Sequence, residues 1–202
     1  MKRIGILGSG KGSNFGALAE AVRAQRLPVE IALVLSDVPG AGILDLAGKY
    51  KVRAEYVPPG PFRTKLSPEA EKEYVRRLKD AGVELVALAG FMRMLKAPFI
   101  EAFPNAVVNI HPSLLPAFPG LHSWKQALDY GVRFAGCTVH FVTPAMDAGP
   151  IIGQAIVPVL PNDTPYTLHA RIQVQEHKLY VECLKLWAEG RLRVEGRSVM
   201  VS

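Results

Sequence analysis

The chain has 202 residues, 24 Lys plus Arg against 18 Asp plus Glu, a formal net charge of +6, and 49% hydrophobic against 21% charged residues. This balance excludes a disordered chain and leaves ample material for a core, and no window approaches the ~18 consecutive apolar residues of a membrane span. The cationic residues are scattered and aromatics make up only 8%, without an RNA-binding aromatic motif, so the expected partners are anionic small molecules drawn into a cleft, with no nucleic acid and no membrane.

Short apolar runs alternate with helical patterns, as in an α/β fold around a mostly parallel sheet. Residues 3–7 read as a first buried strand that gives way at once to Gly8-Ser9-Gly10-Lys11, so no signal peptide is expected. A helix follows with Phe15, Leu18, Ala19 and Val22 at helical spacing. Next come a strand over 29–35, a short helix over 43–49, a strand over 53–57 and a loop at Pro58-Pro59-Gly60-Pro61. Ser67-Pro68 opens a helix, Ser as N-cap and Pro at its first position, that should run to about Asp80 and stop at Gly82. Residues 85–89 are a continuous apolar run and 107–110 are apolar but for Asn109, as expected of strands covered on both faces. After the Pro-rich stretch 112–119, a short helix spans 124–130. The runs 136–142 and 151–159, joined through Ala148-Gly149-Pro150, form an antiparallel pair extending the sheet. Thr164-Pro165 opens a long helix to about Glu189, and a hairpin over 192–195 and 198–201 turns at Gly196. The expectation is one domain, 1–202, with halves of about 1–100 and 101–202. Cys137 and Cys183 lack metal-ligand spacing and read as reduced core thiols in a cytoplasmic protein.

Four constellations carry the chemistry. Gly8-Ser9-Gly10-Lys11-Gly12-Ser13-Asn14 joins a strand to a helix, where backbone N–H groups and the helix dipole suit a phosphate; the alternative is a tight turn capped by Ser13. It fits neither a P-loop, which needs Ser or Thr at Gly12, nor a dinucleotide fingerprint, so a monophosphate fits best. Asn109 and His111 project to one side of a strand end, an amide beside an imidazole where a developing oxyanion would be stabilised; singly, each also fits a structural role. Asp147, between Pro144 and Pro150, is either a turn former or the partner that raises the His111 pKa above ~6.5. The loop Gly90-Phe91-Met92-Arg93-Met94-Leu95 follows a strand and suits a flat heterocycle, unless its methionines are core. No histidine pattern suggests a metal, and none is expected.

The ordered set Gly10-Lys11-Gly12-Ser13-Asn14, Ala89-Gly90-Phe91-Met92-Arg93, Asn109-Ile110-His111-Pro112-Ser113-Leu114-Leu115-Pro116, Pro119-Gly120-Leu121-His122, Asp147 before Gly149-Pro150, and Gln175-Glu176-His177 resembles the phosphoribosylglycinamide formyltransferases, folate-dependent enzymes of purine synthesis. The resemblance spans about residues 3–195. It implies a Rossmann-like formyltransferase fold with helices on both faces, and transfer of a formyl group from 10-formyltetrahydrofolate to the amine of 5-phosphoribosylglycinamide. Both partners are small molecules, and the protein would be a monomer or homodimer. Carried over by motif, Asn109, His111 and Asp147 are catalytic. Gly12, Ser13, Asn14, Gln173, Val174, Gln175 and Glu176 bind the ribonucleotide. Lys65, Met92, Arg93, Met94, Leu95, Asn109, Thr143, Pro144, Ala145, Met146 and Asp147 face the folate, with Arg63 open as an alternative to Lys65. Lys11 replaces an Asn common in relatives, adding a phosphate contact or merely facing solvent. A methionyl-tRNA formyltransferase would carry a further C-terminal domain, and a 10-formyltetrahydrofolate hydrolase an N-terminal regulatory one; the hydrolase or another folate-dependent formyltransferase stands as the alternative. A non-catalytic nucleotide-binding module would not need the Asn109/His111/Asp147 set.

Overall fold

Each apolar run becomes a strand. The computed structural model describes residues 1–202, in the order β1 (Lys2–Leu7), α1 (Ser13–Arg23), β2 (Val29–Ser36), α2 (Gly42–Lys49), β3 (Ala54–Tyr56), α3 (Pro68–Asp80), β4 (Leu85–Leu88), α4 (Ala97–Ala102), β5 (Val107–His111), α5 (Ser123–Tyr130), β6 (Phe134–Phe141), β7 (Ile151–Pro158), α6 (Pro165–Ala188), β8 (Leu192–Glu195) and β9 (Ser198–Val201). Seven strands hydrogen-bond in the order β3-β2-β1-β4-β5-β6-β7, and β8 and β9 form a separate pair. The sheet is parallel from β3 to β5 and antiparallel between β6 and β7. No helix is long and apolar enough to cross a membrane.

The chain divides into two compact units, Met1–Asn109 and Ile110–Ser202. In the first, β1 lies between β2 and β4, so the strand order reverses there, and Leu7, Leu88 and Asn109 stand in register at the C-terminal edge. That is the edge at which open α/β sheets bind ligands. Ile4, Ile6 and Leu7 of β1 and Leu85 and Val86 of β4 are fully buried, as are Phe15 and Leu18 of α1 and Tyr74 and Leu78 of α3. The Ser67 side chain accepts from Ala70 N at 3.1 Å and Pro68 occupies the first turn, so α3 starts where its local signals put it.

One element departs from expectation. The local start signal of α4 is incomplete: Pro98 lies in its first turn, but Lys96 offers no capping side chain. The cap is tertiary: Glu71 of α3, 7% exposed, accepts from Lys96 N at 2.7 Å, while Phe99 and Phe103 are buried beneath.

In the second unit α6 packs across β6 and β7 through Leu168, Ile172, Leu179, Tyr180 and Leu184. Its start is a reciprocal capping box between Thr164 and Thr167, with Pro165 in the first turn. Cys137 and Cys183 are buried and unpaired with each other, and burial pushes both thiols up to about 12.

The N-cap of α1 is Gly12 rather than Ser13. Its φ of 82° is left-handed, and a Cβ there would stand 2.9 Å from Ile43, whereas one on Gly10 would meet nothing within 4 Å. Gly12→Ala should therefore cost roughly 1–3 kcal/mol through strain and overlap, and Gly10→Ala no more than about 0.5 kcal/mol. Thermal unfolding of the two variants checks the contrast, and equal melting temperatures would contradict it.

Candidate active site

Two groups of side chains follow from these elements, one in each unit. In the first unit, the glycine loop after β1 is tied down by its backbone: Gly8 N donates to Leu35 O at 3.1 Å, Ser9 N to Gly90 O at 3.0 Å, and Gly10 O accepts from Ile43 N at 3.0 Å. The N-cap Gly12 brings no side chain to the start of α1, where the N–H groups of a helix's first turn have no intrahelical acceptor. An anion suits that position through both hydrogen bonding and the helix dipole. Lys11 and Ser13 are exposed, Asn14 is half-buried and Gly12 is buried.

The loop after β4 reaches the same edge. Met94 N donates to Thr64 O at 2.9 Å, and Lys65 forms an isolated parallel bridge with Met94. This register puts Lys65, rather than the exposed Arg63, alongside the loop, with its ammonium 4.4 Å from the centre of the Phe62 ring. Met92 is 58% and Met94 36% exposed, so these methionines are surface, while Leu95 is buried. Arg93 turns inward to Asp37, a residue that the sequence pattern did not single out.

In the second unit the strand-end histidine finds its carboxylate. His111 is 6% exposed, and its Nδ1 lies 3.5 Å from Asp147 Oδ2. Its Nε2 is 3.0 Å from Phe118 O; a carbonyl only accepts, so this nitrogen carries a proton. Both ring nitrogens therefore face oxygen acceptors. Gly120 N donates to Asp147 Oδ2 at 2.8 Å, which fixes the carboxylate. Asn109, two residues before His111 on β5, projects to the same side of the strand by the alternation of extended backbone.

The Asp147 loop is shaped by unusual backbone. Asp147 has φ 49°, and a Cβ on Gly149 would lie 1.7 Å from Phe141 O, so only glycine fits there. Thr143 Oγ1 donates to Ala145 O at 3.2 Å, while Pro144, Ala145 and Met146 are exposed. Gln173, Val174, Gln175 and Glu176 occupy one turn of α6, Val174 exposed and Glu176 4% exposed.

His140 is the member that sequence reasoning missed. Its Nδ1 donates to Phe141 O at 2.9 Å, and its Nε2 lies 3.9 Å from Asp147 Oδ1, so the carboxylate stands between two imidazoles. Burial holds His140 below the usual histidine value, against the Phe141 carbonyl and the Asp147 charge, which favour its proton. The signal available was a histidine inside the apolar run of β6, where a buried polar group requires a partner.

Comparison with known proteins gives a family match to the formyl transferase model over residues 2–184. The trifunctional purine biosynthetic protein adenosine-3 of Drosophila pseudoobscura pseudoobscura is 45% identical over 95% of the chain, which spans only 14% of that protein. The phosphoribosylglycinamide formyltransferase of Bacillus subtilis is 37% identical, with 92% of this chain and 94% of that protein covered. Among solved structures, glycinamide ribonucleotide transformylase 1 from Symbiobacterium toebii superposes with a TM-score of 0.95 at 48% identity, covering 100% of this chain and 94% of that one. A formyltetrahydrofolate deformylase from Pseudomonas syringae pv. tomato gives 0.92 at 27% identity over 99% of this chain and 65% of its own.

The buried His140 makes stability depend on pH. Its proton is held less tightly in the folded chain than in the unfolded chain, where the value is ~6.5. Well above pH 6.5 both states leave it neutral and it contributes nothing. As the pH falls below 6.5 the unfolded chain takes up the proton first, so stability drops until the lower folded value is passed. His140→Asn, which retains a donor for Phe141 O, should show a smaller loss of melting temperature between pH 7.5 and 5.5 than the parent. Equal losses would contradict this account.

Proposed function

The chain belongs to the formyl transferase family, and we propose that it transfers the formyl group of 10-formyltetrahydrofolate to the primary amine of 5-phosphoribosylglycinamide in purine biosynthesis. The observation that carries this reading is the His111–Asp147 approach at 3.5 Å, on the strand end that also bears Asn109. Family membership and the full-length similarity to a bacterial phosphoribosylglycinamide formyltransferase support the choice of substrates.

On this reading the folate supplies a formyl group bonded to nitrogen, an electrophile that a neutral amine attacks directly. Negative charge then develops on the formyl oxygen. The His111 Nε2–H, aimed at Phe118 O in the free protein, exchanges that acceptor for the formyl oxygen, and the Asn109 amide is the second donor. Each such donor contributes about 2.7–4 kcal/mol to lowering the barrier. Asp147 holds the imidazole through Nδ1 and helps move the proton from the attacking nitrogen to the departing one, a role worth about 10²–10⁴ in rate.

The ribonucleotide phosphate is assigned to the α1 N-terminus at Gly12, Ser13 and Asn14, with Gln173, Val174, Gln175 and Glu176 as further nucleotide contacts. The folate is assigned to Lys65, Met92, Arg93, Met94 and Leu95, Asn109, and the loop from Thr143 through Pro144, Ala145 and Met146 to Asp147. The exposed Met92 and Met94 offer polarizable surface beside backbone N–H and C=O groups, which suits a flat heterocycle with a polar edge.

The test is absorbance-monitored deformylation of a stable 10-formyl folate analogue, with and without the ribonucleotide. Signal only with the nucleotide is expected. Signal without it would mean water is the acceptor and the protein is a hydrolase, and silence in both would overturn the reading. His111→Ala and Asp147→Asn should each lower kcat by about 10²–10⁴ with folate affinity within a few-fold; parental turnover in either would remove that residue from the mechanism.

A further inference from the structure

Asp37 follows β2 directly and is 4% exposed, an ionisable side chain taken out of water. Both of its oxygens are occupied: Oδ1 accepts from Ser9 Oγ at 2.5 Å, and Oδ2 accepts from Arg93 Nε at 2.7 Å. Each partner passes the constraint on to the loop after β4. Ser9 Oγ, having donated its proton to Asp37, accepts from Met92 N at 2.9 Å. Arg93 Nη1 donates to the Phe62 carbonyl, which ties in the segment leading to Lys65. Between these two anchors the Phe91 ring rests on Tyr74, 5.9 Å between centres, and the Tyr74 hydroxyl donates to Val57 O at 3.0 Å.

A carboxylate in such a position is costly unless every lone-pair direction has a use. A pair needed only for packing would do as well with apolar side chains of the same volume. Here one arm of Asp37 runs through Ser9 of the glycine loop to the Met92 backbone and the other through the Arg93 side chain to the Phe62 carbonyl, and neither ends on the core. The alternate side chains Met92 and Met94 are left projecting outward, at 58% and 36% exposure, from a backbone that cannot wander.

We propose that Asp37 is a positioning residue for the ligand loop after β4, holding residues 90–94 against the glycine loop so that the loop meets its ligand already ordered. A preformed loop binds more tightly because the entropy of ordering it is not lost on binding. The assignment of that ligand as a folate rests on the formyl-transfer reading; the positioning itself does not.

Asp37→Asn keeps the volume and an acceptor for Ser9 but removes the charge that holds Arg93. Ser9→Ala removes the tie to Met92 N and leaves the ion pair in place. Backbone hydrogen exchange of both variants should show loss of protection at Met92 and Met94, with the β1 and β2 amides unchanged. For the same variants, KM and Kd for a folate analogue should rise ~10- to 100-fold, with kcat at saturation within about threefold, the pattern of lost binding rather than lost chemistry. Unchanged exchange at 92 and 94, or losses in kcat and nucleotide affinity that track the melting temperature, would overturn the proposal. If the parent protein binds no folate analogue, the formyl-transfer reading fails, and the exchange data still decide whether Asp37 positions the loop. If Asp37→Asn does not fold, Ser9→Ala carries the same two readouts.

Discussion

The pairing of His111 with Asp147 is the interaction around which the second unit is organised. An imidazole at the end of a strand is already aimed, because its direction is fixed by the pleat and by the ladder that holds β5. The carboxylate has no such support and must be brought to it by a loop. That loop leaves β6, turns through a left-handed Asp147 and a glycine that no other residue could replace, and enters β7. The antiparallel pairing of β6 with β7 fixes both ends of the loop. The residue with left-handed backbone is thus the one that meets His111, and the regular structure on either side supplies the constraint that keeps it there.

The two imidazoles beside Asp147 are not equivalent, and their hydrogen bonds say why. His140 is enclosed, gives its Nδ1 proton to the carbonyl of the next residue, and is held below the usual histidine value by burial. It can face the carboxylate as a neutral neighbour. His111 has an acceptor at both nitrogens and stands at the edge of the sheet, where a ligand can compete for one of them. One carboxylate therefore sees a ring that stays in place and a ring that can exchange partners. This division matches a reaction in which a single donor has to follow charge onto a substrate oxygen.

The sequence showed most clearly what local chemistry determines. Ser67-Pro68 and Thr164-Pro165 announced their helices because the cap and the missing N–H of proline act within one turn. The strands were legible as continuous apolar runs, and the glycine loop was legible because backbone that approaches a neighbour closely has few alternatives to glycine. Several unread features depend on partners distant in sequence. The start of α4 is capped by Glu71, 25 residues earlier. Asp37 looks like an ordinary turn residue after a strand until Ser9 and Arg93, 28 and 56 positions away, are found on its two oxygens. Asp147 was recognised as a candidate, but its reach to His111 is a property of the fold that no local pattern contains.

A common logic links the two carboxylates. Both accept from a donor in a glycine-containing loop, and both meet a nitrogen group brought from another segment. They differ in the permanence of that group. Arginine presents a permanently charged, planar fork, which opposite Asp37 serves to hold geometry. An imidazole, by contrast, is a side chain whose charge can change near neutrality, so a contact of this kind is not permanent. The group opposite a carboxylate thus sets whether the contact is permanent or exchangeable, and this chain holds one of each kind.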